Sequence, residues 1–140
     1  MAKLEQAEIL LVEDDPREVD AVMECFKVAR LANPVHWAKD PAAAVEYLYA
    51  GEGHSKPRLM LLDLKLPRQD GMDLLVRAKS EPRTRHIPII MLTSSSFESD
   101  LIQSYDLGVE SCLLKPIDFQ RFSREVEKTG FHWLLLGGGE

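Results

Sequence analysis

Arg58-Leu59-Met60-Leu61-Leu62-Asp63-Leu64-Lys65-Leu66-Pro67-Arg68-Gln69-Asp70-Gly71 decides the fold. Leu59 to Leu62 is an uninterrupted apolar run that ends on a single carboxylate, Asp63, and a loop with Pro67 and Gly71 follows before the pattern turns helical. An unbroken run suits a strand covered on both faces, hence a parallel sheet between helical layers, whereas a strand with one wet face would alternate. Asp63 then stands at the strand's carboxyl end, the edge where open α/β sheets bind ligands. A carboxylate that merely ends a strand in water reads the same way, so the rest of the chain decides.

Upstream, Ile9-Leu10-Leu11-Val12 is a second buried strand that runs into Glu13, Asp14, Asp15 and Pro16. Asp15 before Pro16, with Glu18 three residues on, has the form of a helix start: cap, proline at the first helical position, capping-box glutamate. Glu13 and Asp14 are left at the strand end as candidates for a site. The helix that follows presents Val19, Val22, Met23, Phe26 and Ala29 on one face, and Asn33-Pro34 closes it. Val35 to Ala38 is a short strand. Asp40-Pro41 repeats the cap-and-proline signal for a helix that buries Ala44, Val45 and Leu48 and ends at Gly51.

Downstream, Met72, Leu74, Leu75 and Ala78 mark a third helix, broken by Ser80-Glu81-Pro82. Ile87 to Leu92 is a strand with Pro88 near its start, where a missing ladder donor matters least, and it ends in Thr93-Ser94-Ser95-Ser96. Phe97 to Leu107 reads as a fourth helix stopped by Gly108. Ser111 to Leu114 is the last strand and ends in Lys115-Pro116. Asp118 opens a final helix with Phe119, Phe122 and Val126 inward and Gly130 at its end. Strand and helix alternate five times, which predicts a doubly wound α/β domain, a five-stranded parallel sheet with helices on both faces.

The chain has 140 residues, enough for one domain with a filled core. Residues 1–130 are expected to form it, and 131–140 are an apolar then Gly-rich tail. A formal charge of -6 with 17 scattered Lys and Arg leaves no basic footprint for nucleic acid. The two cysteines, Cys25 and Cys112, lie in apolar-periodic segments without metal-ligand spacing. No stretch has signal-peptide or membrane-spanning length, so a soluble, cytoplasmic protein without membrane attachment is expected.

In a parallel sheet the strand ends share one edge, which brings Glu13, Asp14, Asp63, Thr93 and Lys115 together. Carboxylates about 4 Å apart repel by roughly 4 kcal/mol at an effective dielectric of 20, so their gathering calls for a divalent cation. Mg2+ fits better than calcium, for which ligands are too few, or zinc, for which His and Cys are missing. Lys115 and Thr93 then serve phosphate oxygens, and Asp63 at the centre is the carboxylate placed to become an aspartyl-phosphate.

Across residues 8 to 128 the sequence resembles the receiver domain of two-component response regulators. The carriers are Leu11-Val12-Glu13-Asp14-Asp15-Pro16, Asp63 with Pro67 and Gly71 after it, Met91-Leu92-Thr93-Ser94, and Leu114-Lys115-Pro116. Within that family it looks like the stand-alone regulators paired with bacteriophytochrome-type histidine kinases, judging by its start and its Phe131-His132-Trp133-Leu134-Leu135-Leu136 tail. The resemblance implies the flavodoxin-like strand order 2-1-3-4-5 and phosphotransfer from a sensor histidine kinase to Asp63. It also implies Mg2+ on Glu13, Asp14, Asp63 and the main-chain carbonyl of Lys65, with Thr93, Ser94 and Lys115 at the phosphoryl group.

Such a protein is a phosphoacceptor that signals by protein contacts, with a histidine phosphotransferase as a further partner, rather than a conventional enzyme. Part of the polar face of the first helix, where Arg17 and Glu18 lie, docks the kinase in such domains. Cys112 stands where the family carries an aromatic switch residue three before the lysine, so switching is expected through Thr93 and its loop, or through Tyr105 or Phe97. An alternative is a receiver-fold adaptor that is never phosphorylated. A magnesium-dependent phosphatase would need a second acid two residues after Asp63, where Lys65 stands. The apolar tail can fold back over the sheet edge or the last helix; through Phe131, Trp133, Leu134 and Leu135 it is instead the expected homodimer contact, because a domain with a filled core has little left to bury it against.

Overall fold

The computed structural model describes residues 9–49, 57–63, 69–97, 100, 108–115 and 117–130. In chain order the elements are β1 (Ile9–Glu13), α1 (Pro16–Val28), β2 (Val35–Ala38), α2 (Pro41–Tyr49), β3 (Leu59–Asp63), α3 (Gln69–Ser80), β4 (Ile89–Thr93), β5 (Ser111–Leu114) and α4 (Phe119–Glu127). The strands form one parallel sheet in the order β2-β1-β3-β4-β5. This is the expected doubly wound, flavodoxin-like arrangement. The strand order reverses between β1 and β3, so a crevice opens outside their carboxyl ends.

Every residue of β1, β3 and β4 is buried. Within these unbroken apolar runs, successive side chains go to opposite faces. Leu10, Val12, Met60, Leu62 and Met91 pack with Ala44 and Leu48 of α2 and Leu74, Leu75 and Ala78 of α3. Ile9, Leu11, Leu59, Leu61, Ile90 and Leu92 pack with Val19, Val22 and Phe26 of α1 and Phe122 and Val126 of α4. Two helical layers thus hold the central strands rigid and leave only the strand ends for chemistry.

The ends of α1 differ from the sequence reading. Asp15 does cap the helix, accepting the Arg17 N–H at 2.9 Å, with Pro16 at the first position. The capping box is not formed. The Asp15 N–H goes to Glu13 Oε2 at 3.0 Å, and the Glu18 carboxylate turns to Lys115. Met23 is exposed rather than inward, and Ala29 is the half-buried C-cap. The helix stops before Asn33-Pro34: Arg30 takes φ 62°, its N–H reaches Lys27 O and the Leu31 N–H reaches Phe26 O. These are the two bonds of a Schellman end, made with arginine where glycine is usual. No glycine marks this stop in the sequence.

Smaller shifts follow from packing. Asp40 caps α2 by accepting the Ala43 N–H at 2.7 Å, while Val45 is only half-buried. β4 begins at Ile89, and Pro88 before it contributes its carbonyl to Met60 N–H. Asp118 caps α4 by accepting N–H bonds from Gln120 and Arg121; Phe122 and Val126 are buried but Phe119 is half-buried. Gly108 and Gly130 have φ of 85° and 91°, a backbone conformation that favours glycine; α4 itself ends at Glu127 with Lys128 as its C-cap, short of the expected Gly130. The helix expected over Phe97 to Leu107, including Tyr105, lies mostly outside the described residues, as do Gly51, Lys65 and the 131–140 tail.

Candidate functional site

β1 and β3 are neighbours with Glu13 opposite Asp63 in register, so the sheet itself sets two carboxylates side by side. Glu13 is 2% exposed and Asp63 7%. On β4, the next strand beyond β3, Thr93 is the last residue and is buried as well. The Lys115 N–H donates to Thr93 O at 2.7 Å, which extends the β4–β5 ladder by one step and fixes the start of the lysine side chain. From there Lys115 Nζ contacts Asp63 Oδ2, lies 2.9 Å from Glu18 Oε1 and 3.7 Å from Glu13 Oε1. One ammonium thus faces three carboxylates.

That imbalance shows in the proton affinities. Glu13 is pushed up to about 9, first by burial and then by its hydrogen bond and charge interaction with Asp63; the Asp15 N–H and the Lys115 charge pull the other way without prevailing. As a carboxylate, Glu13 Oε1 is buried with no hydrogen-bond donor among the described residues. With a proton it donates to Asp63. For Lys115, burial alone would lower the affinity, but hydrogen bonds to Asp63 and Glu18 and the charges of Asp63 and Glu13 outweigh it, and the net direction is up.

An orphaned buried carboxylate oxygen beside a second buried carboxylate fits a hard cation, and the donors are all oxygen. Glu13, Glu18 and Asp63 each offer an oxygen, all within 4.8 Å of one another. Asp14 lies exposed in the bend just after β1. Glu18 is the residue the sequence reading misassigned: its place in the first turn of α1 suited a capping box equally well, and only the position of Lys115 separates the two roles.

Thr93 Oγ1 accepts the Ser95 N–H at 3.1 Å, and Ser94 is exposed at the rim. A cavity of about 560 Å³ opens beside the cluster, lined by Glu18, Ala21, Val22, Cys25, Ser94, Lys115 and Ile117. On the other flank the Trp37 indole N–H donates to the Glu13 carbonyl at 2.7 Å, a contact with no sequence signal. Cys112 is half-buried opposite Met91 and packs on the core that α2 and α3 cover. Phe97 is exposed. No helix among the described residues is long and apolar enough to cross a membrane.

Residues 9–127 match the response regulator receiver domain family. Response regulator Rcp1 of Synechocystis sp. (strain ATCC 27184 / PCC 6803 / Kazusa) is 36% identical, covering 90% of this chain and 88% of that protein. The structure of the Mn(2+)-bound form of Rcp1 matches with a TM-score of 0.66 at 34% identity, over 86% of this chain and 88% of that one. The bacteriophytochrome response regulator AtBRR is 41% identical with a TM-score of 0.81, over 94% of this chain and 98% of that one. The phosphorylated cyanobacterial phytochrome response regulator RcpA is 32% identical with a TM-score of 0.68, over 88% and 90% of the two chains.

Proposed function

Because the chain belongs to the response regulator receiver family and is a regulator of a two-component phosphorelay, we propose that Asp63 is its phosphoacceptor. The observation that carries the assignment is the contact of the Lys115 ammonium with Asp63 Oδ2 beside the unpartnered Glu13 oxygen. An Asp63 oxygen attacks the phosphorus of a phosphohistidine, the P–N bond breaks, and the imidazole leaves with the electron pair. Lys115 moves its charge to a phosphoryl oxygen, and Thr93 turns its hydroxyl from Ser95 to donate to another, with Ser94 at the rim. Glu13, Asp14, Asp63 and the main-chain carbonyl of Lys65 would hold Mg2+, whose charge would offset that of the carboxylates and the phosphoryl group together.

Receiver domains pair with sensor histidine kinases, and the likeness to phytochrome regulators supports a phytochrome-type kinase here. The protein works in the cytoplasm as a phosphoacceptor that signals by contact, with a histidine phosphotransferase as a further partner. Residues 1–130 form the receiver domain, and Phe131, Trp133, Leu134 and Leu135 of the tail join two copies in a homodimer. A phosphorylation-independent adaptor role is not favoured. The test is intact mass after treatment with a small acyl phosphate, with and without Mg2+. A Mg2+-dependent gain of one phosphoryl group, lost in Asp63→Asn, is expected; a gain that survives the substitution removes Asp63 from the reaction. Deleting 131–136 is expected to leave a monomer in sedimentation, and a deletion that still dimerises places the interface elsewhere.

A further inference from the structure

Lys115 Nζ donates to Glu18 Oε1 at 2.9 Å, contacts Asp63 Oδ2 as an ion pair and has Glu13 Oε1 at 3.7 Å. The exposures grade outward: the Asp63 side chain is 7% exposed, Lys115 18% and Glu18 43%. Glu18 therefore covers the lysine from the solvent side. It also lines the cavity beside the cluster, whose other walls are the apolar Ala21, Val22 and Ile117, the Ser94 rim and Cys25, whose thiol burial pushes up and so keeps neutral. Among the residues that line this cavity, Glu18 and Lys115 carry the only formal charges.

A group delivered to Asp63 arrives within about 5 Å of the Glu18 carboxylate, since the two residues offer oxygens inside 4.8 Å of each other. Like charges at that separation, in a partly dry site, repel more than they would in water. The same carboxylate also holds back part of the Lys115 charge until the phosphoryl group draws it away.

We infer that Glu18 is a specificity-determining residue for the phosphodonor: paired with Lys115 at the mouth of the cavity, its carboxylate discriminates by charge. It holds back doubly charged acyl phosphates and favours donors whose leaving nitrogen carries a proton. The inference rests on Asp63 being the acceptor. In the favoured transfer the Asp63 O–P bond forms and the P–N bond breaks. The electron pair stays on the departing nitrogen, and the proton already on the ring leaves an imidazole that is neutral. Such a donor approaches with one negative charge fewer than an acyl phosphate and presents an N–H that a carboxylate can accept.

Two small donors separate charge from everything else. Acetyl phosphate approaches neutral pH as a dianion with an oxygen leaving group, and phosphoramidate as a net monoanion whose nitrogen leaves protonated. Phosphorylation rates of the full chain with Mg2+ are read by intact mass for wild type, Glu18→Gln, Glu18→Asp and Asp63→Asn. Glu18→Gln is expected to raise the acetyl phosphate rate about fivefold and the phosphoramidate rate less than about twofold. Glu18→Asp, which keeps the carboxylate, is expected to keep the wild-type ratio of the two rates. Added KCl is expected to move the wild-type ratio toward that of Glu18→Gln, because exposed charge is screened. Equal changes with both donors, or none, in Glu18→Gln overturn the inference and leave Asp63 as acceptor. Failure of the wild type with both donors, or labelling that persists in Asp63→Asn, overturns the acceptor assignment and this inference with it.

Discussion

Glu13→Gln reads the electrostatic load of the site most directly. In the metal-free protein the Glu13 proton affinity is raised from 4.5 to about 9, by burial first and by Asp63 second. The folded state therefore takes up a proton that the unfolded chain releases near its ordinary value. The stability associated with that proton is whole below about pH 4.5 and is lost as pH rises toward 9, with a limiting slope of about 1.4 kcal/mol per pH unit. At pH 8 the full shift sets a ceiling of about 5 kcal/mol. Glu13 and Asp63 share one proton, so the shift belongs to the pair and only part of it falls to Glu13; about 2 kcal/mol is expected.

Glutamine keeps the acceptor for the Asp15 N–H and carries no charge. In chelator at pH 8, Glu13→Gln should then be about 2 kcal/mol more stable than wild type, and near pH 4.5 the two should converge. Urea unfolding followed by circular dichroism from pH 4.5 to 9 measures this. Mg2+ at about 100 times its dissociation constant should add about 2.7 kcal/mol to the wild type, more than to the variant, which lacks one charged ligand. A wild type whose stability in chelator does not fall with pH, or a glutamine variant less stable than wild type at pH 8, refutes the reasoning.

Arg30→Gly should stabilise by about 0.5–1 kcal/mol in the same assay, because Arg30 holds φ 62° at the end of α1 without the freedom of glycine. Trp37→Phe should cost about 1 kcal/mol by removing the indole N–H that donates to the Glu13 carbonyl at 2.7 Å. Phe122→Ala should cost about 3–5 kcal/mol, since the ring is buried against Phe26 and Phe119 between α4 and the sheet.

The legible part of the fold is the part that burial dictates. Leu59 to Leu62 and Ile9 to Val12 are apolar without a break because helices cover both faces, and that alone implied parallel strands and a shared edge for Glu13, Asp63, Thr93 and Lys115. Local backbone chemistry was legible where a residue type announces it, as at Asp15-Pro16 and Asp118. It failed where the chain uses an unmarked residue. Arg30 takes a left-handed conformation that only the geometry reveals, and Met23 lies at the margin of a face whose width Val19, Val22 and Phe26 already fill. Glu18 failed for a different reason. Its partner lies 97 residues away, and a local rule offered it a local partner first.

Cys112 limits how phosphorylation can reach the surface. In an aromatic switch a large side chain exchanges one packed position for another, and the difference in buried area supplies the energy gap. A thiol offers little area to exchange, and Cys112 already packs on the α2–α3 side of the sheet. In the proposed reading the mover among the described residues is Thr93, whose hydroxyl exchanges its donation to the Ser95 carbonyl, at 3.4 Å, for one to a phosphoryl oxygen. One such exchange is worth about 1 kcal/mol net, more when the new partner is charged, so it biases a two-state loop by roughly five- to tenfold. A shift from one per cent to ninety-nine needs about 5.5 kcal/mol. If Asp63 is phosphorylated as proposed, this exchange tilts the β4 loop only part of the way, and a partner that binds only the tilted form has to supply the rest of the free energy.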